Sequence, residues 1–145
     1  MGGIAVYFQA VMNSSLGERV ILRFVQSSSQ KRSFAESGKF SLSNLTSAAA
    51  DISRFSRAVI SFRPEVVHIA TAYGQSFLKH GVCAAIARIF GCRVLLHPHC
   101  SFSVLYTQRP EWWKSLVRRV FSRVDGVLAL SSEWLELEKI CPSAR

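Results

Sequence analysis

Two histidines separated by one proline, His97-Pro98-His99, follow the short apolar run RVLLH and lead into Cys100. A histidine placed there can donate to a sugar hydroxyl or a phosphate oxygen, or move a proton, because its ordinary pKa lies close to neutrality. A metal would require a third and fourth ligand at a suitable spacing, and the sequence assigns none. His68 lies inside another apolar run, EVVHIA, where an interior ring with satisfied nitrogens is the better reading. After that run come Thr71, Tyr73, Gln75 and Ser76, polar residues able to line a pocket, and then Lys79, which is either a phosphate-reaching or an ordinary solvated lysine. Near the start, Gly2 and Gly3 precede a helical pattern. Paired glycines let a backbone approach a ligand closely, and a helix N-terminus offers free N–H groups to a phosphate. A flexible terminus is the alternative. The pair is not a Gly-x-Gly-x-x-Gly fingerprint, which argues against a nicotinamide enzyme.

A second constellation is basic and aromatic. Trp112 and Trp113 open a helical pattern that carries Lys114, Arg118, Arg119 and Arg123. Trp113 falls on the apolar face with Leu116, Val117, Val120 and Phe121, so Trp112 is the ring left for solvent or a partner. Such a helix suits an anionic membrane surface, the alternative being a core helix with a solvated basic face. Nucleic acid is disfavoured, since no zinc-finger or RNP-type signature accompanies the charge.

The elements that would position these groups alternate between two periods. Ile4, Phe8, Val11 and Met12 recur at helical spacing. Val20–Val25 is a β-branched run predicted as a strand. Residues 27–41 are Ser-rich, basic and aperiodic, and predict a mobile loop. From Leu45 to Phe62 an i, i+3/i+4 rhythm predicts a helix, with Ser43 or Asn44 as cap and Pro64 closing it. EVVHIA and RVLLH are strands flanking a helix that carries Phe77, Leu78, Val82, Ala85, Ile86 and Ile89 and ends at Gly91. Pro110 suits the first turn of the next helix. Val124–Leu130 is predicted as a fourth strand, and Ser131 or Ser132 as the cap of a last helix through Ile140. Short, near-continuously apolar strands alternating with helices specify a doubly wound parallel sheet with helices on both faces, a Rossmann-like α/β fold.

Such folds open with a strand that feeds the Gly-rich turn. Here the turn is present and the strand is not, so an unpaired slot is expected in the middle of the sheet. The C-terminal residues, Cys141 to Arg145, stop where a further strand should follow. The expectation is one domain, residues 1–145, truncated at both ends.

With 145 residues, 49% hydrophobic and 19% charged, the chain is globular in composition. No apolar run is long enough for a membrane span and no signal peptide is recognisable, so the cytoplasm is the expected compartment. The spacings of Cys83, Cys92, Cys100 and Cys141 match no Cys-x-x-Cys pair, and reduced thiols are expected. The net charge of +9 points to anionic partners without choosing among them.

Taken together, GGIAVYFQAVMNS, EVVHIATAYGQSFLKHG, GCRVLLHPHCSF and VDGVLALSSEW resemble the N-terminal domain of family 4 glycosyltransferases, retaining enzymes in which two Rossmann-like domains face a cleft. The resemblance covers nearly the whole chain. It implies that Gly2 and Gly3 match the loop that closes on the donor diphosphate. It implies that His99 matches the residue contacting the donor sugar near the reacting centre. Tyr73 lies on the acceptor side, where Ser76 and Lys79 match the family's motif. The donor would be a nucleotide sugar, with no cofactor or metal, and the acceptor a saccharide, often lipid-linked, in bacterial surface polysaccharide assembly. The helix bearing Trp112, Lys114, Arg118 and Arg119 would suit peripheral association with the inner face of the plasma membrane. The paired glutamates of the family's C-terminal domain have no counterpart; Glu133, Glu136 and Glu138 are not those residues. Two other readings stay open: a non-catalytic, flavodoxin-like module binding a phosphorylated ligand, and a truncated product without function.

Overall fold

The computed structural model describes residues 3–26 and 42–140. The predicted loop at 27–41, the predicted phosphate-binding Gly2 and the residues from Cys141 onward lie outside that range.

Three parallel strands form one sheet in the order β1 (Val66–Thr71), β2 (Arg93–Pro98), β3 (Gly126–Val127). The register pairs Val66 with Arg93 and Leu95 with Gly126. Alternation along the strands assigns the two faces. Ile69, Thr71, Val94 and Leu96 are buried beneath α2 (Leu42–Phe62), α3 (Gln75–Ile89) and α4 (Glu111–Phe121). His68 and His97 point to the opposite face, which α1 (Gly3–Met12) covers through Tyr7 and Phe8. Helices therefore lie on both faces, as a Rossmann-like half fold requires. Its core is aromatic where α3 and α4 meet. Phe77 and Phe121 are fully buried, their rings 6.0 Å apart, and Trp113 stands 5.9 Å from Phe77.

Helix ends follow local chemistry. α2 stops at Arg63, which takes φ 49°, directly before Pro64. α3 ends through Gly91 at φ 79°, a left-handed conformation that costs glycine little. Gly91→Ala is therefore expected to remove about 1 kcal/mol of stability. The cause is backbone strain, since nothing lies within 4 Å of an added Cβ. A denaturant midpoint equal to that of the parent chain would show that Gly91 is not needed there.

Several expectations require correction. Residues 21–26 form no strand. Ile21 is 86% exposed, and the segment lies against α2, where the Arg23 guanidinium donates to Ser61 Oγ at 3.1 Å and stacks over Phe62. A β-branched run without a ladder partner stays irregular. The strand at Val124–Leu130 shrinks to Gly126–Val127, with Leu128 N–H donating to the Leu96 carbonyl at 2.9 Å before the chain turns away. The predicted last helix is a 3₁₀ turn, Ser132–Leu135, followed by a short α5 (Glu136–Ile140), and Ser131 makes no side-chain cap. Ser43 and Asn44 lie inside the first turn of α2. Among the described residues the three strands are contiguous, and β1 lies at an edge of the sheet.

Two features tie the elements together. A π-helical turn, Ser103–Thr107, follows β2. Trp113 Nε1 donates to the Leu105 carbonyl at 2.7 Å, and the Glu133 carboxylate accepts from Ser103 N–H at 2.8 Å. At the opposite end of the strands, the Asp125 carboxylate accepts from Val94 N–H at 2.7 Å and from the Arg88 guanidinium at 2.7 and 2.8 Å. The Val94 N–H bond, aided by Arg88, holds the Asp125 carboxyl below its ordinary pKa.

Candidate functional site

β2 delivers His97 to the covered face of the sheet, and the turn after it carries His99, whose backbone N–H donates to the Thr71 carbonyl at 2.7 Å. His68 rises from β1 beside them. Its Nε2 lies 3.3 Å from His97 Nδ1, so one of the two nitrogens carries a proton and the other accepts it. The His97 and His99 rings are 4.1 Å apart, and Tyr7 of α1 stands edge-on to all three imidazoles at 4.8 to 5.7 Å. Sequence placed His68 in the interior, and its ring is indeed partnered there. Tyr7 was not singled out: its helical phase put Phe8 on the apolar side and gave no sign of what lay beneath.

Burial lowers the pKa of every ring in this cluster. His97 falls to about 4, first through burial and then through His99 and His68; His68 is lowered by burial and by His99, and His99 by burial alone. At neutral pH the rings are uncharged. A buried nitrogen, His99 Nε2, has no hydrogen-bond partner among the described residues. It is the kind of atom that a ligand hydroxyl satisfies, because an orphaned buried polar atom costs free energy.

The acceptor-side candidates lie on the other face of the β1 edge. Tyr73 is exposed, with the Arg109 guanidinium 5.9 Å from its ring. Ser76 Oγ is 3.4 Å from His80 Nδ1, which in turn lies 3.0 Å from Thr71 Oγ1. Lys79 reaches away from the sheet edge to α2, where its Nζ meets Asp51 Oδ2 at 2.9 Å with both side chains largely buried. This polar network of Asp51, Thr71, Ser76, Lys79 and His80 was not assembled from sequence. The Ser76–His80 pair has the helical i, i+4 spacing that could have shown part of it. His80 is also lowered to about 4, chiefly by burial.

These shifts fix a pH dependence. A histidine held neutral in the fold but protonated in the unfolded chain makes the unfolded chain bind more protons below the ordinary value of 6.5. The stabilisation is complete above that value and is lost as pH falls toward 4. The urea midpoint is expected to decline across that window, each of His80 and His97 contributing at most about 1.4 kcal/mol per pKa unit of depression. A flat profile between those limits would mean that these rings are solvated.

Gly3 begins α1 with open space around its Cα. Among the described residues no group of three His, Cys, Asp or Glu side chains is placed to hold a metal ion, and no helix is long and apolar enough to cross a membrane. Cys83, Cys92 and Cys100 are free thiols, and burial raises Cys83 and Cys100 to about 11.

No curated protein and no solved structure matches the chain significantly. The profile of the glycosyl transferase 4-like domain matches residues 24–138, which include both long strands, the histidine cluster and the polar network. With a parallel α/β sheet, a histidine turn at the end of its middle strand and a family match over most of its length, the chain belongs to the glycosyl transferase 4-like domain family.

Proposed function

We propose that this domain is the acceptor-side half of a retaining, two-domain transferase that moves a hexosyl group from a nucleotide sugar to a saccharide or lipid-linked saccharide in surface polysaccharide assembly. The observation that carries the reading is His99 Nε2: a buried, uncharged nitrogen beyond the end of β2, without a partner among the described residues. Ligands of open α/β sheets sit at that edge. A neutral imidazole there hydrogen-bonds a donor-sugar hydroxyl without repelling the developing positive charge of the transferring sugar. Gly2 and Gly3 let the chain approach the donor diphosphate, with the N–H groups of α1 aimed at it. Tyr73 and Ser76 meet the acceptor, and Lys79, oriented by Asp51, adds positive charge behind them. A separate nucleotide-binding domain completes the cleft. α4, which bears the exposed Trp112, seats the protein on the cytoplasmic face of the membrane.

The test is release of nucleoside diphosphate from a panel of nucleotide sugars, measured on the product of the complete genomic reading frame and on the isolated chain. The expected result is acceptor-dependent release by the former and none by the latter. Release by neither, with binding of phosphorylated ligands intact, would favour a non-catalytic binding module instead.

A further inference from the structure

α3 and α4 pack side by side on the same face of the sheet. Their contact is close because Gly81 faces Val120, where an added Cβ would come within 3.1 Å of Val120 Cγ2. The outer surface they share is more apolar than a solvated helix pair needs. Along α3, Val82 and Ile89 lie two turns apart on one line and are 47% and 80% exposed. Along α4, Trp112 is 67% exposed, and Leu116 follows one turn later. Between the helices runs a shallow groove of about 260 Å³, lined by Leu78, Val82, Leu116 and Val120 and bordered by Arg119 and Arg123.

The basic side chains of this region divide by function. Lys114 pairs with Glu111 at 2.8 Å, and Arg118 donates to Tyr106 Oη at 2.7 Å and to Ser115 Oγ at 3.2 Å, so both serve the domain itself. Arg119 and Arg123 border the apolar groove, and among the described residues no carboxylate forms an ion pair with either. An exposed indole, exposed aliphatic side chains and two guanidiniums on one surface match the boundary of an anionic bilayer. There apolar groups enter the acyl region while cations meet lipid phosphates. A nucleic acid backbone would satisfy the arginines but give Val82 and Ile89 no apolar environment.

We propose that the combined α3–α4 face, rather than the basic side of α4 alone, is the surface that docks on an anionic bilayer. Trp112, Val82 and Ile89 enter the interface, and Arg119 and Arg123 hold lipid phosphates. The inference rests on the membrane association proposed above and relocates it.

The experiment is sedimentation of the full chain with phosphatidylcholine vesicles, with and without phosphatidylglycerol. The intact chain should bind only the anionic vesicles. Arg119→Gln/Arg123→Gln should weaken binding by about 30-fold, and Val82→Ser/Ile89→Ser should weaken it at least 10-fold. Lys114→Gln/Arg118→Gln, which removes the same amount of charge, should change it less than about threefold. Acrylamide quenching supplies a second readout: Trp113 and Trp134 are buried, so protection on vesicle addition reports Trp112. If Lys114→Gln/Arg118→Gln causes the large loss and the α3 double variant causes none, the inference fails while association through α4 stands. If the chain binds no anionic vesicle, or an oligonucleotide displaces it from them completely, both fail.

Discussion

Asp51→Ala is expected to lower the unfolding free energy by about 3–5 kcal/mol, the range for breaking a buried ion pair from one side. Asp51 is 8% exposed, and its carboxylate meets Lys79 Nζ at 2.9 Å in the contact between α2 and α3. Removing the carboxylate leaves an ammonium in a site that water scarcely reaches, and the cost is mostly that of the stranded charge. The second partner of Asp51 behaves differently. Arg54 is about half exposed and sits 3.3 Å from Oδ1, so Arg54→Ala should cost below about 1 kcal/mol. The decisive control is Asp51→Leu/Lys79→Met, which removes both charges and keeps the volume; it should recover most of the loss. Urea unfolding followed by circular dichroism measures all three. If Asp51→Ala costs no more than Arg54→Ala, Lys79 is free to swing to solvent, and its place is at the sheet edge rather than against α2.

Under the proposed transfer, His99→Ala in the complete enzyme should reduce kcat by about 10²–10⁴-fold while the urea midpoint changes by no more than about 1 kcal/mol in free energy. Among the described residues the ring satisfies nothing through Nε2, so its loss removes little hydrogen bonding there. On the proposed reading it removes the group that contacts the donor sugar. The effect should fall on kcat more than on KM, since a contact that strengthens in the transition state appears in turnover. His99→Asn, which keeps a polar donor and acceptor, should recover part of the rate. Unchanged turnover would take His99 out of the site, whatever the family profile.

The strands that sequence located correctly are those covered on both faces. EVVHIA and RVLLH are apolar because two layers bury them, and the signal survives without knowing the partners. Val20–Val25 and Val124–Leu130 have the same composition and fail, because a strand also needs a neighbour. Ile21 has none among the described residues, and the ladder of β3 ends within a few residues. The site shows the same division. His99 could be placed at a strand end from local pattern alone. That His68 Nε2 would face His97 Nδ1 depends on the β1–β2 register, in which His97 stands opposite Ala70. That Lys79 would meet Asp51 depends on how a helix 28 residues earlier packs. The π-turn was invisible for the same reason: its anchors, Trp113 and Glu133, come from later elements.

The Asp125 carboxylate bears on how this domain opens. It sits after α4, accepts from Val94 N–H near the start of β2 and from the Arg88 guanidinium at the end of α3, with its own N–H donated to the Val94 carbonyl at 2.9 Å. α3, β2 and the start of β3 are thus clasped at the end of the strands away from His99. Amide exchange should therefore be graded along β2: slow near Val94, where opening requires α3, β2 and β3 to separate as one cooperative unit, and faster toward His99, beyond the clasp. Asp125 thus acts as a clasp at one end of the strands, and the His99 end of β2 lies beyond its grip.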